Sequence, residues 1–236
     1  VDIGKIPELK GIRVNGGIGI GAYTTYHELE QSSELAQRVP MLVECAQSVG
    51  DPQVRSRGTI GGSLAHADPA ADMPAVVLAL GAQMRAVGPS GERTIAADDF
   101  FVEMLQSALD QGEILTEISI PQISGRVGMA YEKFKHPASG YAIVGVAALL
   151  HLGDTGSVAA CRIAVTGAGP KAQRATLAEN MLLDKQPSAD SIAAAAEQAS
   201  SGLELIEDIS ASESYRAHLA RVLAKRALTR ALEQAQ

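Results

Sequence analysis

Tryptophan is absent from the 236-residue chain, which carries only three Phe and five Tyr. Few aromatic platforms are therefore available for stacking single-stranded bases or sugars, and any Tyr beside a glycine-rich segment stands out. Cysteine is scarcer still. Cys45 and Cys161 lie far apart, neither with a CxxC partner, which argues against a zinc site, a thioredoxin-like motif or an iron–sulfur cluster held by this chain alone. Both read as buried small hydrophobes. No apolar run reaches the roughly 18–20 residues that span a bilayer, and the first residues lack the basic and apolar regions of a signal peptide. The expected location is cytoplasmic. Positive charge is in deficit: 20 Lys+Arg against 27 Asp+Glu leave −7, the wrong balance for a phosphate-backbone binder, so nucleic acid is not an expected partner. The five histidines form no HExxH, and even His66, in His66-Ala-Asp68, reads first as a loop polar group. A GxxxxGK[ST] loop and a Gly-x-Ser-x-Gly elbow are both missing, leaving NTPase and hydrolase chemistry without an anchor.

What is present fits a compact globular chain: 46% hydrophobic and 20% charged residues, in one large domain or two small ones at roughly 100–200 residues each. Residues 1–25 alternate glycines with β-prone pieces and read as strands and turns. Thr25 and Glu28 form a capping-box pattern for a helix, and Pro40 suits the first turn of a second helix over Met41–Val49. Gly50 to Ser63 is the densest loop signal. The apolar run Ala75–Leu80 is too short for periodicity to separate helix from strand. Residues 83–88 and 93–96 flank Pro89-Ser-Gly91 as a hairpin would, and Ile114–Pro121 alternates like an edge strand before proline. Ser124-Gly125 reads as a linker. Three strands follow, Met129–Lys135, Ala142–Leu152 and Val158–Ala164. From Ala172 the chain is helical in character, ending in a stripe of Tyr215, Leu219, Val222, Leu223 and Leu232. The class is α+β.

Gly17-Ile-Gly19-Ile-Gly21 lacks the spacing and the following helix of a dinucleotide fingerprint. Thr59-Ile60-Gly61-Gly62-Ser63 is the strongest candidate site. Paired glycines permit positive φ and close backbone approach to a bulky anion, with consecutive N–H groups and the Thr and Ser hydroxyls as donors. The same five residues also describe a tight turn. Asp72, nine residues on in Asp68-Pro-Ala-Ala-Asp72-Met-Pro, offers a carboxylate for sugar hydroxyls or, alternatively, a helix cap.

The whole stretch from Gly50-Asp-Pro-Gln-Val-Arg-Ser-Arg-Gly to Asp72-Met-Pro-Ala resembles the second flavin-binding segment of the FAD subunit of molybdenum hydroxylases, the carbon monoxide dehydrogenase and xanthine dehydrogenase group. Further matches lie in order along the chain: residues 1–12, Ile20 to Leu29, Gly112-Glu-Ile-Leu-Thr-Glu-Ile-Ser-Ile-Pro, Tyr131-Glu-Lys-Phe-Lys and Tyr215 to Leu223. The resemblance implies that residues 1–121 form the larger part of a vanillyl-alcohol-oxidase-type FAD domain. Residues 126–236 would be a C-terminal domain with a three-stranded antiparallel sheet and helices.

Carried across residue by residue, the resemblance implies that Thr59, Ile60, Gly61, Gly62 and Ser63 hold the FAD diphosphate and Asp72 the sugar hydroxyls. Leu115 would lie against the flavin, Lys135 would reach its polar edge and Tyr141 would pack near the ring. No catalytic side chain and no metal ligand is implied. The chain would pass electrons from [2Fe–2S] clusters on a small partner subunit, fed by a molybdopterin on a large subunit, through FAD to an external acceptor. Two departures matter. The family has Asn where Ser63 stands, and its members carry an N-terminal subdomain ahead of the position of Val1. The expectation is therefore that part of the diphosphate cradle is missing and FAD binding is weak or absent. The alternative is a non-flavinylated assembly subunit of the same complex.

Overall fold

The computed structural model describes residues 2–236. Strands β1 (Ile12–Asn15) and β2 (Gly17–Gly21) form a hairpin. Six helices follow before the next strand: α1 (Tyr26–Gln31), α2 (Ser33–Arg38), α3 (Pro40–Ser48), α4 (Pro52–Arg55), α5 (Ile60–His66) and α6 (Met73–Ala79). The capping box at Thr25 and Glu28 forms as the sequence predicts, and Pro40 opens α3. The run at 75–80 resolves as helix, all of α6 being buried. The segment Gly50–Ser63 is a correction: most of it is the helices α4 and α5 rather than loop.

Strands β3 (Gln83–Gly88) and β4 (Gly91–Ala96) make the expected hairpin. A turn of helix, α7 (Ala97–Phe100), leads to the small ribbon β5 (Phe101–Glu103) and β6 (Gln106–Ser107), then to β7 (Ile114–Ile120). The antiparallel sheet runs β1-β2-β7-β3-β4, so β7 is its central strand, not an edge. Pro121 lies just past the strand and costs the ladder no hydrogen bond. One face of the sheet buries Ile18, Ile20, Met84, Ile118 and Ile120. The other carries an ion-pair row in which Glu117 meets both Arg13 and Arg85, and Arg85 meets Glu92.

The second sheet holds β8 (Arg126–Lys135), β9 (Ala142–Leu152) and β10 (Val158–Thr166), antiparallel as expected, extended by the two-residue β11 (Gln173–Arg174). Helices α8 (Thr176–Leu182), α9 (Ala189–Glu197) and α10 (Glu213–Ala235) cover one face. The opposite face is covered by α3 and α6. Because both faces are covered, β9 reads Ala-Ile-Val-Gly-Val-Ala-Ala-Leu-Leu with no polar alternation. Met129, Tyr131, Ala147, Leu149 and Ala164 therefore belong to the core of the first sheet and its helices, whereas Val144, Val146, Ala148 and Leu150 pack under α8–α10. No described helix is long and apolar enough to cross a membrane.

Candidate functional site

A cleft of about 580 Å³ opens where the loop between β8 and β9 meets the segment from α3 to α6. Tyr23 and Tyr26 stand on one side, Gly58, Thr59, Gly62 and Ser63 on the next, and Ser139, Gly140 and Tyr141 opposite. Four hydrogen bonds from three residues bring these walls together. Ala142 N–H donates to Ala70 O at 3.3 Å, Gly167 N–H to Pro69 O at 2.8 Å, and the Thr166 hydroxyl to Pro69 O and Ala71 O at 2.9 and 2.6 Å.

At the start of α5, Thr59 caps the helix, its Oγ1 accepting Gly62 N–H at 3.1 Å. Ile60 N–H donates to Thr24 O, Gly61 N–H to Ala22 O and Ser63 N–H to Thr59 O. All four N–H groups of Ile60–Ser63 are thus taken within the protein, and neither glycine has positive φ. This corrects the expectation of a nest of N–H groups aimed at an anion. Gly61 is needed for a different reason: a Cβ there would stand 2.5 Å from Ala22 O, so only glycine lets α5 press against the chain beyond β2. Gly62 is exposed and lines the cleft. What α5 offers the cleft is a flat Gly62 surface and the hydroxyls of Thr59 and Ser63, with the exposed Arg57 as a nearby cation.

Beneath this wall lies an ionic cluster. Asp72, only 5% exposed, lines the cleft at the start of α6 but makes no capping bond. Its Oδ1 accepts the Tyr131 hydroxyl at 2.5 Å and its Oδ2 the Lys133 ammonium at 2.8 Å. Lys133 also donates to Ser48 O at the last residue of α3, 3.2 Å away. A cation at a helix C-terminus and an anion at a helix N-terminus both complement the helix dipoles. Burial pushes the Asp72 carboxyl up, opposed by the Lys133 charge and the two hydrogen bonds. Burial also drives the Tyr26 phenol up to about 12, against a lowering from the Ser63 side chain. Tyr26 is fitted against Gly58, where a Cβ would come 2.7 Å from its ring.

Of the residues singled out in the sequence, Thr59, Gly62, Ser63, Asp72 and Tyr141 meet around the cleft. Tyr141 is half exposed. Ile60 and Gly61 are buried on the inner side of α5. Leu115 sits in the hydrophobic core on β7 and Lys135 is exposed at the end of β8; neither lines the cleft. The lysine brought to the site is Lys133. The two lysines share strand parity, but the pairing shifts between Phe134 and Lys135, where Phe134 faces Val144 and Lys135 faces Ala142. Tyr131 was legible only as part of Tyr131-Glu-Lys-Phe-Lys, and nothing in that pattern says it meets Asp72.

Known proteins match the chain along nearly its whole length. The family described as "FAD binding domain in molybdopterin dehydrogenase" matches residues 1–123, and "CO dehydrogenase flavoprotein C-terminal domain" matches residues 129–231. The subunit alpha of the 6-hydroxypseudooxynicotine dehydrogenase complex of Paenarthrobacter nicotinovorans is 40% identical, over 100% of this chain and 80% of that protein. The carbon monoxide dehydrogenase medium chain of Hydrogenophaga pseudoflava is 38% identical, over 98% of this chain and 80% of its own length. A chain of the solved carbon monoxide dehydrogenase of H. pseudoflava superposes with a TM-score of 0.94 at 39% identity, covering 99% of this chain and 81% of that one. The chain belongs to the family of FAD-binding medium subunits of molybdenum hydroxylase-type dehydrogenases.

Proposed function

We propose that this chain is the flavin-carrying subunit of a cytoplasmic molybdenum hydroxylase complex, with a molybdopterin-bearing large subunit and a [2Fe–2S] small subunit as partners. FAD, when bound, supplies the redox chemistry by which electrons from the clusters reach an external acceptor. Residues 1–121 would form the flavin domain and residues 126–236 the C-terminal domain. The observation that carries the reading is the cleft: the residues that the family pattern assigns to FAD in α5 and at Asp72 converge there with Tyr141 from the other side.

The residues suit such a ligand. Absence of a Cβ at Gly62 permits close approach beside the Thr59 and Ser63 hydroxyls, which donate to acceptor oxygens. Arg57 supplies the balancing charge at the rim. Since the N–H groups of Ile60–Ser63 are already bonded, side chains rather than the backbone of α5 would contact a diphosphate. Asp72 retains acceptor capacity on both oxygens for sugar-alcohol hydroxyls. Tyr141 and Tyr23 provide flat apolar walls.

The test is titration of the purified chain with FAD, read by flavin fluorescence and by thermal stabilisation. Saturable uptake with a raised Tm is expected. A colourless protein that takes up none overturns the flavin reading and leaves the assembly role.

A further inference from the structure

We propose that Lys133 and Tyr131 are positioning residues for the flavin: reaching in from β8, they hold the Asp72 carboxylate charged and fixed in the cleft wall, as acceptor for the sugar-alcohol hydroxyls. The inference rests on the flavin reading above. It begins with the cost of the carboxylate. An aspartate that is 5% exposed loses most of its hydration and neutralises unless a partner holds its charge. Lys133, its side chain 6% exposed, is that partner at 2.8 Å. The Tyr131 hydroxyl at 2.5 Å fills one site on the other oxygen. One donor on each oxygen fixes the rotation of the carboxylate plane, yet a carboxylate accepts about four hydrogen bonds, so half of its capacity remains.

Among the described residues, Lys133 is the one cation paired with Asp72. Tyr131 itself, Cys45 from α3 and Tyr26 from α1 also face Asp72, and burial raises all three, so each is neutral near pH 7; Arg57, His66 and Asp68 line the same cleft without pairing with it. Space for the Tyr131 hydroxyl comes from Gly145 on β9, where any Cβ would collide with it. A pin between the two parts of the molecule does not require this location. The Arg230–Glu44 pair, at 2.6 Å, joins α10, which covers β8, to α3 without lining the cleft. The Asp72 cluster combines a buried charge, two donors from β8 and a place on the cleft wall.

The geometry yields a test that separates positioning from packing. If Lys133 acts through Asp72, Lys133→Met weakens FAD binding by about tenfold or more. The loss grows as pH falls, because without the Lys133 charge burial raises the carboxyl further and protonation removes the acceptor. Lys133→Arg restores most of the affinity. In an Asp72→Asn background, adding Lys133→Met produces no further loss, since the group it acts through is gone. These are measured on the whole chain by FAD fluorescence titration, with thermal melts confirming folding. Tyr131→Phe, a smaller change, serves the same cycle if Lys133→Met fails to fold. An equal loss in the parent and Asp72→Asn backgrounds, or no loss with Asp72 present, overturns the inference while leaving the flavin reading intact. A wild-type chain that binds no FAD overturns that reading and, with it, this one.

Discussion

Gly61 and Gly62 stand side by side in α5, yet the structure gives them unrelated reasons to lack a side chain, and alanine at each should fail differently. At Gly61 a Cβ would stand 2.5 Å from Ala22 O and 2.8 Å from Ala22 Cα, neither able to swing aside. The start of α5 must back away, straining or breaking the Gly61 N–H bond to Ala22 O, now 2.8 Å. Overpacking costs about 1–3 kcal/mol and the hydrogen bond about 1 kcal/mol, while replacing a helical glycine by alanine returns about 1 kcal/mol. The net is a loss of about 1–3 kcal/mol. At about 2–4 °C per kcal/mol for a chain of this size, Tm should fall by roughly 2–12 °C. At Gly62 the single near contact is Thr59 Oγ1 at 2.8 Å, a hydroxyl that can rotate. There the weakened cap, about 1 kcal/mol, and the better helix former cancel. Gly62→Ala should melt within about 1 kcal/mol of the parent, but its new methyl faces the cleft and should remove most of the FAD-dependent rise in Tm. Melting curves of both variants with and without FAD decide the matter. A Gly61→Ala protein as stable as the parent, or a Gly62→Ala protein that still gains the full stabilisation, refutes the assignment.

Two other expectations concern stability. Arg216, 3% exposed, donates from Nη1 to Ile143 O and Gly167 O at 2.7 and 2.6 Å and pairs through Nη2 with Asp208 at 2.7 Å. Arg216→Met strands two buried carbonyls at about 1–3 kcal/mol each. Urea unfolding should show a loss of at least about 2 kcal/mol, and a smaller one would mean that water replaces the guanidinium. The Arg93 guanidinium and the Asp110 N–H hold the Glu113 carboxyl down at about 2, from the usual 4.5. A depressed folded pKa contributes stability above the unfolded value that is lost as pH falls from about 4.5 toward about 2. Glu113→Gln should lower Tm by a constant amount above about pH 6, converge with the parent at the acid end and so flatten the profile across that window, and an unaltered acid limb would dismiss the pair as a contributor.

Where local chemistry and tertiary context agree, the sequence is readable. Thr25 and Glu28 cap α1 through side chains three residues apart, and Pro89-Ser-Gly91 turns β3 into β4, because those signals act within a few residues. Thr59, Ser63 and Asp72, which the family pattern singles out, line one cleft. What stayed hidden depends on distant partners. A segment with adjacent glycines reads as loop, since each costs about 1 kcal/mol in a helix. Contact with Ala22, remote in sequence, overrides that cost. Strand periodicity places Lys133 and Lys135 alike, and only the pairing shift against β9 distinguishes the buried lysine from the exposed one. Pro121 hinted at an edge because proline cannot join a ladder, but a proline one step past the strand carries no such message.

The sharing of one sheet between two cores has a bearing on synthesis. The chain emerges from its N-terminus, so α3 and α6 are made while β8, β9 and β10 are still unsynthesised. Until Met129, Tyr131, Ala147, Leu149 and Ala164 arrive, the apolar sides of those two helices have nothing to cover them. The early half must wait, exposed, for the later half. In the other direction, residues 126–236 expressed alone would present that same sheet face to water as a sticky surface. The two sequence families that match this chain thus describe halves that cover one another's apolar faces across this sheet.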